Sequence, residues 1–218
     1  MCLPCGLDAV DMTAFSGLVS FKRKIMRGES LFRAGDPLET LYLIQHGAFK
    51  TLHVSRNGHE KVTGFYLPAD MLGLDAIYER THGYDAYAIE DSTVCAAPFE
   101  SLQHMAYAMP ALQKQFARLI SADITRDQGL MLLVGAMSAG QRLAAFLLSL
   151  SRRYRRLGYS PVRFVLPMTR EDIGSYLGLT IETVSRTISR FQREKLLSVH
   201  QRREVQITDI EGLTKLVT

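Results

Sequence analysis

The sequence predicts an α+β fold with an N-terminal β-roll, a long connecting helix and a C-terminal winged helix-turn-helix. Three observations carry that prediction. Short β-type runs punctuated by glycine fill residues 20–105, a helical period runs from 110 to 137, and residues 169–195 hold two amphipathic helices around Gly178. These changes of period set the expected domain boundaries at 1–109, 110–137 and 138–218.

In the first region Gly28, Gly35, Gly47, Gly58, Gly64 and Gly73 mark turns. Asn57-Gly58 lies between the runs Lys50–Val54 and Lys61–Phe65, and this pair signals a hairpin because both residues tolerate positive φ. Leu41, Leu43 and Ile44, then Ala48, Lys50, Leu52 and Val54, alternate only in part. Strands this short and closely spaced suggest a small barrel or roll.

Pro110 suits a first helical turn, and no strong break follows until Gly135. One stripe of this helix is Leu112, Phe116, Leu119, Leu130 and Leu133; a second is Ile120, Ile124, Asp127, Met131 and Val134. A helix apolar on two faces has two things to pack against. The first is its own domain and the second a copy of itself, although a core helix buried all round has the same pattern. Asp127 is the odd member, because two carboxylates facing each other across a two-fold axis repel.

Residues 139–157 form another amphipathic helix, with Leu143, Phe146, Leu147 and Leu150 inward and Arg152, Arg153, Arg155 and Arg156 outward. Gly158 and Pro161 end it. Phe164–Leu166 and Glu204–Ile207 read as strands flanking the helix pair, which makes the motif a winged variant. Thr169 with Asp172 is a variant capping box for the first helix of the pair, whose inner face is Ile173 and Leu177. Gly178 supplies the turn and Thr180 caps the second helix. Val184, Ile188 and Phe191 face inward; Glu182, Thr183, Ser185, Arg186, Ser189 and Arg190 face outward.

That outer face carries base-reading chemistry. Arg186 can direct two donors at guanine O6 and N7, and Glu182 can accept from cytosine N4. Four residues apart, they share one helical face. Ser185 is short enough to reach a base edge, while Arg190 and Arg193 lie where phosphate contacts are expected. The same spacing also describes a surface Glu–Arg pair. The charge distribution suits a double-stranded DNA partner and equally a solvated basic face: residues 151–203 hold 12 Lys and Arg against 4 Asp and Glu, and the rest holds 14 against 18.

Composition narrows the class further. No apolar run approaches the roughly 20 residues that span a bilayer, and the N-terminus has no secretory pattern, so no membrane partner and a cytoplasmic location are expected. No Ser-His-Asp order, Walker loop, G-x-G-x-x-G or H-E-x-x-H is present, which argues against an enzyme.

The stretches TREDIGSYLGLTIETVSR, LFRAGDP, TGFYLPADMLGLDAI and SAGQRLAAFLLSLSRR resemble the cyclic-AMP receptor/FNR superfamily, in particular its oxygen-sensing FNR branch. The likeness covers essentially the whole chain. It implies a β-roll like that of cyclic-nucleotide-binding domains, a homodimer joined through the long helix, and contact with RNA polymerase in which the loop Val54–Lys61 takes part. It also implies that Glu182, Ser185 and Arg186 read TTGAT half-sites. In that branch the helix acid, here Asp127 between Ile124 and Met131, opposes dimerisation until the sensor is loaded. No cyclic nucleotide is expected: the Gly-Glu pair that holds the ribose in nucleotide-binding relatives is replaced by Gly73-Leu74-Asp75, and the phosphate-binding Arg has no counterpart near Tyr84–Tyr87. Arg80 is nearby but lacks the Ser/Thr spacing.

Cys2, Cys5 and Cys95 do not form a disulfide framework; their arrangement suits metal or redox chemistry. FNR-type proteins hold a 4Fe-4S cluster on four thiolates. By resemblance Cys2 and Cys95 fall on ligand positions and Cys5 is extra. Three arrangements follow: upstream ligands that precede Met1, which the interruption of the motif at Met1 favours; a cluster on Cys2, Cys5 and Cys95 with another fourth ligand; or loss of the cluster, leaving a regulator that answers another small ligand or acts constitutively. Cys95 also fits a small apolar core residue.

Overall fold

The computed structural model describes residues 21–201 and 203–217. The chain divides into two compact units, parted between Thr125 and Arg126. The first unit contains eight described strands, β1 (Phe21–Ile25), β2 (Ser30–Phe32), β3 (Thr40–His46), β4 (Phe49–Val54), β5 (Glu60–Tyr66), β6 (Met71–Leu72), β7 (Asp85–Ala88) and β8 (Ser92–Pro98). They pair antiparallel in two four-stranded sheets, of order β1-β8-β3-β6 and β2-β7-β4-β5. A short helix, α1 (Ala76–Glu79), precedes β7.

Packing explains why alternation along β3 is incomplete. Ile44 joins Ile25, Phe32, Phe49, Leu72 and Val94 in a core drawn from both sheets. Leu41 and Leu43 point the other way, into a second cluster with Met71, Cys95, Phe99, Leu102 and Leu112. A strand buried on both faces needs apolar residues on both. The second cluster depends on α2 (Phe99–Ala108), a helix where the sequence suggested strands continuing to about 105. Phe99, Leu102, Met105 and Ala106 all pack there at helical spacing, and strand β8 ends at Pro98.

The hairpin joins β4 to β5 where Asn57-Gly58 placed it, but the connection is five residues long, with Val54 opposite Glu60. Gly58 has φ +76°, whereas Asn57 is not in the positive-φ region. Main-chain bonds from Ser55 to His59 and from Gly58 to Ser55 close the turn instead.

Helix α3 (Pro110–Ala136) has 27 residues and so extends about 40 Å. Its first stripe behaves as a packing face: Leu112 is fully buried, and Phe116 and Leu119 cover the second cluster. The side chain of Leu133 lies outside the described residues. The second stripe is different. Ile120 is half-buried, while Ile124 (52% exposed), Met131 (76%) and Val134 (37%) are open to solvent, with Asp127 among them.

The second unit contains the end of α3 and then α4 (Ala139–Arg156), β9 (Arg163–Val165), α5 (Arg170–Leu177), α6 (Ile181–Arg193), β10 (Leu197–His200), β11 (Glu204–Ile207) and α7 (Ile210–Lys215). A full capping box starts α4: Gln141 N–H donates to Ser138 Oγ, and Ser138 N–H donates to Gln141 Oε1 at 2.9 Å. Leu143, Phe146, Leu147 and Leu150 are buried, as the amphipathic pattern predicts. The wing has three strands in the order β10-β11-β9. Neither β10 nor α7 is evident from the sequence pattern.

Candidate nucleic-acid interface

Two capped helices build the site. Thr169 Oγ1 accepts from Asp172 N–H at 3.0 Å, and Asp172 Oδ2 accepts from Thr169 N–H at 3.0 Å and its hydroxyl at 2.7 Å. These bonds satisfy donors at the start of α5 and hold a buried Asp172. Gly178 ends α5 with φ +66° and ψ +41°, the left-handed conformation glycine adopts without steric cost. Gly174 serves close approach: a β-carbon there would lie 2.7 Å from the Leu179 carbonyl oxygen, a main-chain atom that cannot swing aside. Thr180 then caps α6, accepting from Thr183 N–H at 3.2 Å.

The inner face of α6 is Val184, Ile188 and Phe191, all buried, together with Thr187. Thr187 tolerates burial because its hydroxyl donates to the Thr183 carbonyl at 2.8 Å. On the opposite side Glu182, Arg186, Ser189 and Arg190 are exposed, with Thr183 and Ser185 half-buried at the margins. The structure therefore gathers Thr180, Glu182, Thr183, Ser185, Arg186, Ser189 and Arg190 on one helix and leaves their polar groups accessible to different degrees.

Local bonding shapes that face. Its own main-chain N–H and the Thr180 hydroxyl, with Arg186 contributing less, hold the Glu182 carboxyl below the usual carboxylate range. Glu182 is thus an ionised acceptor at neutral pH, the form that a cytosine amino group requires. Arg186 makes a long 3.5 Å contact from Nη2 to Thr183 Oγ1. Arg190 lies over the Phe191 ring at 5.3 Å and beside Glu194 at 3.8 Å.

Two residues escape the periodicity argument. Arg170, the first residue of α5, donates to Ser185 Oγ at 3.2 Å and so brings a second guanidinium to the reading face. Only the fold of the helix pair reveals this contact, since fifteen positions separate the two residues. Ile181 matches the inner stripe by spacing with Val184 and Ile188, yet it is 45% exposed at the helix start. An exposed apolar residue beside Glu182 suits contact with a thymine methyl group.

The cysteine positions are less complete. Cys95 is buried in β8, with Leu43 of β3 and Lys22 of β1 as its register partners. Cys2 and Cys5 lie outside the described residues. Among the described residues, no group of three or more His, Cys, Asp and Glu side chains is placed to hold a metal ion. Those residues supply one thiol and do not by themselves form a cluster site. Arg80, within the stretch that corresponds to the ligand site of nucleotide-binding relatives, is engaged with Glu100 and the Phe99 ring. Among the described residues, no helix is long and apolar enough to cross a membrane.

Comparison with known proteins bears on both units. Residues 141–216 match the Crp-like helix-turn-helix domain, and residues 22–107 match the cyclic nucleotide-binding domain. The chain is 45% identical to the transcriptional regulatory protein btr of Bordetella pertussis, over 100% of this chain and 89% of that protein. It is 43% identical to the fumarate and nitrate reduction regulatory protein of Escherichia coli K12, over 91% of this chain and 80% of that protein. It is 42% identical to the anaerobic regulatory protein of Haemophilus influenzae, over 99% and 84%. Among solved structures, FixK2 from Bradyrhizobium japonicum is 28% identical with a TM-score of 0.83, covering 91% of this chain and 97% of that one.

Proposed function

This chain belongs to the CRP/FNR family of transcription regulators, and from that premise we propose that it works as an FNR-type homodimer reading TTGAT-like half-sites. As a member of that family it is a DNA-binding regulator and not an enzyme. The observation that carries the finer reading is the polar face of α6, where Glu182, Ser185 and Arg186 stand together opposite a buried Val184–Ile188–Phe191 stripe. In our reading Thr180, Thr183, Ser189 and Arg190 border that contact. A duplex with two inverted TTGAT half-sites one turn apart, about 34 Å, should bind at least about a thousandfold more tightly than a scrambled duplex at physiological salt. Equal affinities by fluorescence anisotropy would reject the reading.

The dimer seam in this proposal is Ile120, Ile124, Asp127, Met131 and Val134. Its support is the exposure of three large apolar side chains at helical spacing on α3. Partial burial along the helix raises the Asp127 carboxyl above its usual range, with Arg126 acting in the opposite direction. Bringing a second copy alongside desolvates this carboxyl further, so the dimer holds its proton more tightly than the monomer does. Dimerisation should therefore strengthen as pH falls through that raised pKa and weaken above it. Asp127→Ala should remove this dependence and tighten the neutral-pH dimer by about tenfold, about 1.4 kcal/mol. Sedimentation across a pH series checks both; an unchanged dissociation constant in Asp127→Ala would remove Asp127 from the seam.

For the signal, the proposal is oxygen or redox state, sensed through a 4Fe-4S cluster with Cys95 and the N-terminal Cys2 and Cys5 as thiolate ligands. When bound, such a cluster supplies redox-sensitive iron chemistry to the roll. Support comes from relatives named as anaerobic regulators and from β1, whose Lys22 stands opposite Cys95. Anaerobic reconstitution should load iron and sulfide, and Cys95→Ser should lower that loading. No iron uptake with all three cysteines intact would favour a regulator that has lost the cluster. In this proposal no cyclic nucleotide takes part. RNA polymerase is the proposed protein partner, with the β4–β5 loop on the contacting surface.

A further inference from the structure

Arg142, in the first turn of α4, occupies an unusual electrostatic position. Its Nε donates to the Met137 carbonyl at 2.8 Å, its Nη2 to the Val134 carbonyl at 2.8 Å, and its Nη1 to the Leu177 carbonyl at 3.1 Å. Val134 lies in the last turn of α3 and Met137 directly follows that helix, while Leu177 is the last residue of α5. Carbonyls at a helix C-terminus lack partners within the helix and carry the negative end of its dipole. One guanidinium thus satisfies two such ends at once, using the planar fork of donors that distinguishes arginine from lysine.

The surrounding contacts bring the same elements together. A β-carbon at Gly178, in the turn of the helix pair, would sit 3.5 Å from Arg142 Nη1 and 3.7 Å from Val134 Cγ1. The α6 side reaches the same segment: the tip of the Arg190 guanidinium lies against Gly140, where a β-carbon would displace it. Between the anchors, the Ser138–Gln141 capping box fixes the bend from α3 into α4. Val134 has a side chain in the exposed α3 stripe and a carbonyl held by Arg142, so one residue links the two surfaces.

We infer that Arg142 is a positioning residue that locks the helix pair to the end of α3 and thereby fixes the separation of the two reading helices in the dimer. The inference rests on the DNA-reading dimer proposed above. Without the lock, each helix pair still folds and still recognises a half-site, but its orientation on α3 is no longer set. The affected property is tolerance of half-site spacing rather than recognition of one half-site.

The test compares wild type, Arg142→Gln and Arg142→Lys on two duplexes, one with TTGAT half-sites at the native spacing and one with a single base pair inserted between them. Thermal melting and sedimentation identify which variant remains folded and dimeric. Lysine keeps the charge but cannot bond three diverging carbonyls, so it serves if Arg142→Gln does not fold. Wild type should prefer the native spacing, and a folded dimeric variant should lose at least tenfold of that preference. An unchanged preference ratio, even with a lower melting temperature, overturns the inference and leaves Arg142 as a helix cap. If wild type fails to distinguish paired half-sites from scrambled DNA, the underlying reading falls first and the inference with it.

Discussion

Phe191→Ala should destabilise the C-terminal unit by about 3–5 kcal/mol, the range for emptying an aromatic site in a packed core. Phe191 is fully buried, and its helix presents Val184 and Ile188 to the same interior. The ring also supports Arg190, whose guanidinium lies 5.3 Å from its centroid. The residue therefore holds α6 in place from its buried side. A urea titration followed by circular dichroism gives the loss directly. Binding to specific and random DNA should fall together, because the reading helix is lost as a unit. A loss below about 1 kcal/mol would mean that α6 is not seated as described.

Arg186→Ala should act in the opposite manner, leaving the fold intact and removing discrimination. The side chain is exposed, and its one hydrogen bond among the described residues is the long contact to Thr183. A guanidinium so placed can address guanine with two donors, a contact worth about 1–3 kcal/mol against the wrong base. A two-fold dimer makes it twice, so specific binding should weaken by about 2–6 kcal/mol. Random DNA should be affected far less. Salt dependence separates the roles: losing one phosphate contact per protomer lowers the slope of log K on log salt by about 1.8 for the dimer, whereas a lost base contact leaves it nearly unchanged. An equal loss on both DNAs with a shallower slope would place Arg186 on the phosphate backbone.

The helix pair was legible in the sequence because every local signal there agrees. Thr169, Asp172 and Thr180 each perform a bonding task tied to their side-chain chemistry, Gly178 takes the left-handed turn that suits a residue without a β-carbon, and the inner stripe of α6 has a strict helical period. The roll was legible as a class but not in detail. Strand β3 is covered on both faces, so its residues carry no clean alternation, and the turn to α2 at Phe99 lacks a polar side-chain cap. The three-stranded wing was incomplete for a related reason: Leu197–His200 is short and depends on pairing with β11 for its definition. Arg142 and Arg170 were invisible as functional candidates because their partners are distant in sequence and, for Arg142, are main-chain carbonyls of any residue type.

The central claim is that the α6 face reads bases, and a thermodynamic cycle tests it most directly. Binding is measured for wild type and Arg186→Ala on the paired TTGAT duplex and on one with the G·C pair of each half-site changed to A·T. If Arg186 reads that guanine, the two changes are coupled by at least about 1 kcal/mol, because each removes the same contact. Additive losses, agreeing within about 0.5 kcal/mol, would show that Arg186 and the G·C pair do not meet.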